Sequence, residues 1–403
     1  MNIRRFFTFW QPQTDHWGIE ARILRWITFF WLFLGLVMVF SASFPSGTIE
    51  SGDGTYYFKR QLIWVLVGLV GFNFLVYTPL AKSLKVAKVG MIVCLILIWL
   101  TNVPGLGTTI NGATRWISVG PIPIQPSELM KPFLVMQCAV FFSQWFRLSW
   151  WQRWFWLGIF GLTLLGILAQ PNLSTTALCG ITIWLIALAA GLPSLYLSST
   201  AIAGFILGLL SITINEYQRK RILSFTNPWS DPVGDGYQLV QSLLAIGSGG
   251  LSGTGLGLSQ QKLYFLPIQY SDFIFSVYAE EFGLIGGLLF LVMLIAYGAV
   301  ALRVALRVKT MEYQLLAVGV MVIMIGQSLL NIGVASGVLP TTGLPLPLFS
   351  YGGSSMISSL ILAGLLIRVA REGSTHQIIG VRKRFVLPKR LNRKYEAVKS
   401  KQY

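Results

Sequence analysis

Phe265-Leu-Pro-Ile-Gln-Tyr-Ser-Asp-Phe-Ile-Phe275 decides the reading of this chain. It closes a mostly polar, glycine-rich segment that starts at Tyr217 and leads through Asp272 into an apolar run that extends to about residue 301. Another apolar run ends near residue 215. Each run is long enough to cross a bilayer, which takes about 20 residues per helix. A carboxylate therefore stands at the lip of a membrane helix, an uncommon place to keep a charge. A connection of this length is usually functional or disordered. Tyr237, Leu239, Val240, Leu243, Leu244, Tyr264 and Phe265 supply apolar and aromatic surface that argues against disorder. The segment is expected to be a folded outer-face element without a helix or strand pattern of its own.

The same logic extends to the whole chain. With 54% hydrophobic and 11% charged residues over 403 positions, the composition excludes an ordinary soluble domain. Apolar runs near 23–43, 61–79, 86–103, 129–146, 154–170, 174–191, 194–215, 273–301, 314–336 and 350–370 predict an all-α polytopic membrane protein of about ten transmembrane helices. The large extracytoplasmic loop, 216–272, lies between the seventh and eighth. The connections after Gln170 and Gly191 are short enough that each flanking pair also reads as one bent segment. This gives a cytoplasmic N-terminal segment, 1–22, a membrane domain, 23–371, and a basic cytoplasmic tail, 372–403.

The net charge of +17 points to a membrane rather than to nucleic acid, because the cations are distributed by side. With the N-terminus inside, 23 Lys and Arg fall on the inner side and 8 on the outer, 11 of them in Arg368–Lys401. This is the positive-inside pattern. It predicts a multi-pass protein of the cytoplasmic membrane with both termini cytoplasmic and a tail suited to anionic lipid. Cys94, Cys138 and Cys179 lie in apolar runs and imply no disulfide or metal framework. His16 and His376 lie in terminal cytoplasmic segments, so outer-face chemistry has no histidine. The first apolar run lacks a convincing cleavage site and reads as a span rather than a signal peptide.

Several segments combine polar groups with apolar surroundings. Pro126, Ser127 and Glu128 read as a helix start, and Lys131, one turn on, pairs with Glu128 or meets a headgroup or phosphate. Arg115 beside Trp116 has no such local account. Gln170-Pro-Asn-Leu-Ser-Thr-Thr176 suggests a broken helix or tight re-entrant turn, which lines a cavity or is buried in protein. Gly247-Ser-Gly-Gly-Leu-Ser-Gly-Thr-Gly-Leu-Gly257 is no nucleotide loop, since no strand precedes it and no Gly-Lys-Ser/Thr follows. It either cradles an anion or lets the chain fold closely on the bundle. Ser354 and Ser355 have no neighbouring base to activate them.

Among the 14 Asp and Glu, Asp272 has two readings. Aspartate is a favoured N-cap, and an apolar helix follows at once. A carboxylate near Lys262, Arg115, Arg219 and Arg221 is also a candidate general base, with the helix dipole and cations expected to lower its pKa. The residues alone leave both open. Glu280 and Glu281 lie inside the next span, where an ionised group must be paired or wet, and one of them is expected to face a polar cavity.

Taken together, Asn-Gly-Ala-Thr-Arg115-Trp116-Ile, Gln125-Pro-Ser-Glu128-Leu-Met-Lys131, Gly236-Tyr-Gln-Leu-Val-Gln-Ser242, Leu266-Pro267 through Phe275, Glu280-Glu281-Phe-Gly283, Asn331-Ile-Gly333 and Pro345 through Ser355 resemble the SEDS family (FtsW, RodA, SpoVE) of bacterial cell-wall proteins. The resemblance spans Ile23–Arg371 and is nearer to the division branch, FtsW, than to the elongation branch. It implies a ten-span peptidoglycan glycosyltransferase that polymerises lipid II, working beside a class B penicillin-binding protein and other division proteins. Asp272 matches the family's essential aspartate. It would deprotonate the acceptor 4-hydroxyl, which displaces undecaprenyl pyrophosphate with inversion. Arg115, Lys131, Arg219, Arg221 and Lys262 are candidates for pyrophosphate charge, and Gln241, Ser242, Glu128 and Glu281 for further substrate contacts. No cofactor is required by this reading, although a divalent cation is left open. Ile268-Gln-Tyr-Ser271 replaces the family's usual Glu-x-His-Thr, and Asn172 and Ser174 replace its Asp and Gly. Two other readings, a lipid II transporter and a non-catalytic division scaffold, predict related halves with midplane ion pairs, or indifference to substitution at Asp272.

Overall fold

The computed structural model describes residues 17–110, 113–120 and 122–385. The remaining N-terminal residues and the tail from 386 onward, where most of the expected lipid-binding charge resides, lie outside the described residues. The fold is the expected helical, polytopic one. Helices α1 (Ile19–Ser51), α2 (Tyr56–Tyr77) and α3 (Leu80–Leu100) are followed by strands β1 (Gly107–Ile110), β2 (Ala113–Val119) and β3 (Ile122–Ile124). Then come α4 (Pro126–Ser143), α5 (Trp150–Ala169), α6 (Leu173–Ala189) and α7 (Ser194–Ile214). Each of the ten expected spans falls on one of these helices or on α10 (Ile274–Arg307), the joined α11 (Met311–Met321) and α12 (Gln327–Ala335), or α13 (Gly353–Phe385). The turns after Ala169 and Ala189 separate distinct helices, so neither flanking pair is one bent segment.

Eight of these helical segments are long and apolar enough to cross a membrane. The other two are α6, at 17 residues, and α4, which carries Glu128 and Lys131 near its start. Helix α13 packs against α1, α2, α4 and α11. Its Leu360, Leu362, Ala363, Leu365, Leu366 and Ile367 are at most 1% exposed, so it is buried all round, as a central helix must be. By contrast, α7 buries only Leu197.

Two features were not legible as elements. The antiparallel sheet β1-β2-β3 occupies the segment before α4. The 216–272 connection, expected to lack helices, contains α8 (Glu216–Thr226) and α9 (Tyr237–Ser248). Leu239, Val240, Ser242 and Ala245 of α9 are buried, a helical spacing too short to stand out between flanking glycines.

The glycine-rich stretch after α9 resolves the choice left by its sequence. Helix α10 breaks at Gly283, where φ is +66°. The break frees the carbonyls of Glu280 and Glu281 and the N–H groups of Leu284 and Ile285, which a regular helix would bond to one another. Chain 250–255 enters the gap. Thr254 N–H donates to Glu280 O (2.9 Å) and Gly255 N–H to Glu281 O (3.0 Å), while Leu284 N–H donates to Gly250 O (2.9 Å) and Ile285 N–H to Leu251 O (3.2 Å). A Cβ on Gly253 would stand 2.2 Å from Glu281 O. Close approach of backbone to backbone accounts for Gly249 and Gly253, and positive φ for Gly250, Gly253, Gly255 and Gly257.

Candidate active site

At the end of the bundle that carries the sheet, a groove of about 690 Å³ is lined by β2, α8, α9, the segment before α10 and the loop between α12 and α13. Asp272 lines it, together with Arg115, Arg221, Tyr270 and Tyr351. Alternation along β2 buries Ala113 and Arg115 on one side. The Arg115 guanidinium donates from Nε to Gln170 O (3.1 Å) and from Nη2 to Pro171 O (2.5 Å), which ties the sheet to the turn between α5 and α6. Arg221 donates from Nη1 to Thr341 O at 3.2 Å. A Cβ built on Gly343 (φ +71°) would lie 3.5 Å from Asp272 Oδ2 and 3.8 Å from Arg221 Nη1. The carboxylate, one guanidinium and the Gly343 backbone thus converge on one point.

The backbone around Asp272 is fixed from α12 and from the loop that follows it. Asn331 Nδ2 donates to Asp272 O (2.7 Å) and to Leu344 O (2.8 Å). Ser350 Oγ donates to Ser271 O (2.7 Å), and Tyr351 N–H donates to Tyr270 O (2.9 Å). Two loops are therefore laced together behind one side chain.

That side chain does not cap α10. The N-cap residue is Phe273, without a side-chain cap hydrogen bond, and Asp272 Oδ1 instead accepts from Ser271 Oγ at 3.1 Å. The expectation of a lowered pKa is also corrected. Desolvation raises the Asp272 pKa above the ordinary carboxylate value, and this outweighs the lowering by the Ser271 hydrogen bond, Arg221 and Arg115.

The other predicted residues separate into groups. Arg219 is exposed on α8, and the neighbouring Lys220 lines the groove in its place. Gln241 is partly buried on α9, where Tyr237 and Gln238 are the residues that reach the groove. Ser242 is buried and donates to Ala335 O (2.7 Å).

Lys131 and Glu128 take the paired alternative. Lys131 Nζ lies 2.6 Å from Glu128 Oε1 and 2.8 Å from Gln327 Oε1, with Lys131 1% exposed. A π-helical turn, Val322–Gly326, precedes Gln327, and such bulges often mark places where a helix must re-aim a side chain. Lys262 and Glu281 form a second buried pair at 2.7 Å, shared with Ser41. Glu280 accepts from Ser259 Oγ and from Gln260 N–H (2.9 Å). Both glutamates thus anchor the glycine-rich loop, correcting the expectation that one faces a polar cavity.

Asn331, Gln327 and Gly343 had no assigned role in the sequence reading. Gln327 and Asn331, four apart in an apolar span, were the available signal, since intramembrane amides share a helical face and need partners. Tyr270, at the position of the family's usual histidine, stacks on Tyr57 (ring centroids 4.7 Å apart) and meets Tyr351 edge-on (5.5 Å). Burial raises its phenol pKa above the ordinary value of 10.0, so it stays neutral at pH 7 and does not replace the carboxylate as base. Among the described residues no group of three His, Cys, Asp or Glu side chains is placed to hold a metal; the charged groups that act on Asp272 are Arg221 and Arg115, which lower its pKa, and Glu128, which raises it.

The chain is 55% identical over 377 residues to the probable peptidoglycan glycosyltransferase FtsW of Synechocystis sp., covering 94% of this chain and 96% of that one. It is 38% identical over 351 residues to the stage V sporulation protein E of Bacillus subtilis, covering 86% and 95%. Among solved structures, a chain of a peptidoglycan synthase complex superposes with a TM-score of 0.69 at 26% identity, covering 87% of this chain and 97% of that chain. The rod shape determining protein RodA of Thermus thermophilus gives 0.65 at 26% identity, covering 90% and 99%. The model of the cell cycle protein family that comprises FtsW, RodA and SpoVE matches residues 22–375, and the chain belongs to that family.

Proposed function

We propose that this chain is a peptidoglycan glycosyltransferase of cell division that polymerises lipid II in the groove around Asp272. The observation that carries the reading is the uncapped carboxylate at Asp272, set among arginines in a groove large enough for a glycan. Asp272 takes the proton from the 4-hydroxyl of the acceptor sugar. The oxygen attacks the anomeric carbon of the donor, the bond to pyrophosphate breaks, and undecaprenyl pyrophosphate leaves with inversion. Burial makes the carboxylate a stronger base than one in water, and the Ser271 hydrogen bond, Arg221 and Arg115 oppose that rise. The same cations offset negative charge building on the leaving group.

The groove end of the bundle is extracytoplasmic in this reading and the basic tail cytoplasmic, in the cytoplasmic membrane, as the distribution of cations supports. The relatives named FtsW support the division role, and the likeness to a peptidoglycan synthase complex supports a class B penicillin-binding protein as partner. Purified protein with that partner, its transpeptidase site blocked, is expected to convert lipid II into glycan strands. In sealed vesicles the protein alone is expected not to move lipid II between leaflets. Translocation without polymer would replace this reading with the transporter.

A further inference from the structure

The groove also carries an aromatic surface that proton transfer at Asp272 leaves unused. Tyr270 and Tyr351 line it, as does Trp64 of α2. We propose that these three rings are a stacking platform for a pyranose ring of the glycan. The proposal rests on the glycosyltransferase reading and names where in the groove a sugar is held. Tyr270 stands at the position of the family's usual histidine, so one of the rings is this chain's own departure.

The rings are backed and fixed. Tyr57 of α2 lies outside the groove lining and packs on both tyrosines, stacked on Tyr270 with ring centroids 4.7 Å apart and edge-on to Tyr351 at 5.2 Å. Its hydroxyl donates to Glu50 of α1. Gln61, one turn along α2, donates from Nε2 to Ser350 O (3.1 Å) and accepts from Gly352 N–H (3.2 Å), which brackets Tyr351. The indole of Trp64 lies against Gly353, where a Cβ would stand 2.6 Å from Trp64 Cε2. Surfaces held this way lose little freedom when a ligand arrives.

The surroundings of the rings select the ligand. A pyranose shows C–H bonds on its faces and hydroxyls round its edge, so it needs aromatic carbon against a face and neutral hydrogen-bonding groups at the rim. Gln125, Gln238 and Ser354 line the same groove and supply donors and acceptors of that kind. A prenyl chain would use the rings but leave those groups unpaired.

The test uses full-length protein in phosphatidylcholine nanodiscs, titrated with chitotetraose, an uncharged chain of β-linked N-acetylglucosamine, and read by saturation transfer from protein to sugar C–H protons. Wild type is expected to bind, and Tyr270→Leu and Trp64→Leu, on separate elements, to weaken binding about tenfold each. Tyr270→Phe, which keeps the ring, should bind within about twofold of wild type, so that the loss follows the ring and not the folding of its loop. In polymerisation with the partner present, Tyr270→Leu is expected to raise KM for lipid II and leave the pH dependence of the rate unchanged. Lipid II methylated at its 4-hydroxyl serves only as donor: a raised KM for it assigns the platform to the donor sugar, and an unchanged one to the acceptor. Wild type that does not bind chitotetraose, or leucine variants that bind it as well as wild type, would overturn the platform. So would slower turnover or a moved pH profile at unchanged KM, the mark of a merely structural role. Polymer formation by wild type in those cases would leave the glycosyltransferase reading standing. Ring-dependent binding by a protein that makes no glycan would overturn that reading and keep the platform.

Discussion

Asp272 spends none of its hydrogen-bonding capacity on the helix it precedes, and that is the feature with most consequence for chemistry. Its pKa is set by competition, with burial raising it and Arg221 and Arg115 pulling it down. A base must be ionised, so the rate of transfer should rise with pH through that pKa. The acid limb of the rate profile is expected above the position near pH 4 of a carboxylate in water. Arg221→Gln removes a positive charge that lowers the pKa and should move the acid limb further toward high pH. A pH profile of single-turnover polymerisation checks this, and a limb that stays put or moves down would disconnect Arg221 from the carboxylate. Lys131 presents a contrasting use of charge, since its ammonium is held by Glu128 and Gln327 away from solvent. Lys131→Met leaves Glu128 buried without a cation and should cost about 3–5 kcal/mol, much of it recovered on adding Glu128→Gln. Thermal unfolding of the single and double variants measures both.

At the scale of elements, the site depends on segments that are irregular by design. The gap in α10 at Gly283 is filled by chain 250–255, whose end is in turn held through Ser259, Gln260 and Lys262 by Glu280 and Glu281. Gly283→Ala asks a side chain to adopt φ +66° and puts its Cβ 2.4 Å from Gly253 N. It should lower stability by at least about 1–3 kcal/mol and loosen the loop before Asp272, seen as faster amide exchange over 250–262. Normal stability and exchange would mean that the loop is held elsewhere. These elements also mark the limit of what the sequence discloses. Spans α1 to α3 announce themselves because lipid demands about 20 apolar residues in a row. No comparable rule announces a loop threaded into a helix, whose evidence is only glycines needed for close approach. The short strands and α9 were missed for a related reason: their partners are distant in sequence, and pairing rather than propensity makes them. At Asp272 the sequence could pose cap against base but not choose, because the answer depends on where Ser271 and Arg221 stand.

Across the whole molecule, apolar packing and polar chemistry are segregated. The central α13 is buried among α1, α2, α4 and α11, while the sheet, α8 and the two loops carrying Asp272 and Gly343 meet at one end of the bundle. Lys131, shared by Glu128 and Gln327, joins α4 to α12, and Lys262, shared by Glu281 and Ser41, joins the loop before Asp272 to α10 and α1, while Arg115 and Arg221 stand at the groove wall. This division explains why only some of the outer cations expected from the sequence reach the site: charge count and side of the membrane are visible in a chain, but the partner that neutralises each cation is not. The most direct measurement is lipid II polymerisation by wild type and by Asp272→Asn, each purified with the penicillin-binding protein whose transpeptidase site is blocked. The substitution keeps the size and hydrogen-bonding shape of the side chain but cannot take up the proton. Glycan strands from wild type and a loss of at least about 100-fold in the variant, at equal folding and complex formation, are predicted for a general base. Equal polymerisation by the two proteins would contradict the account.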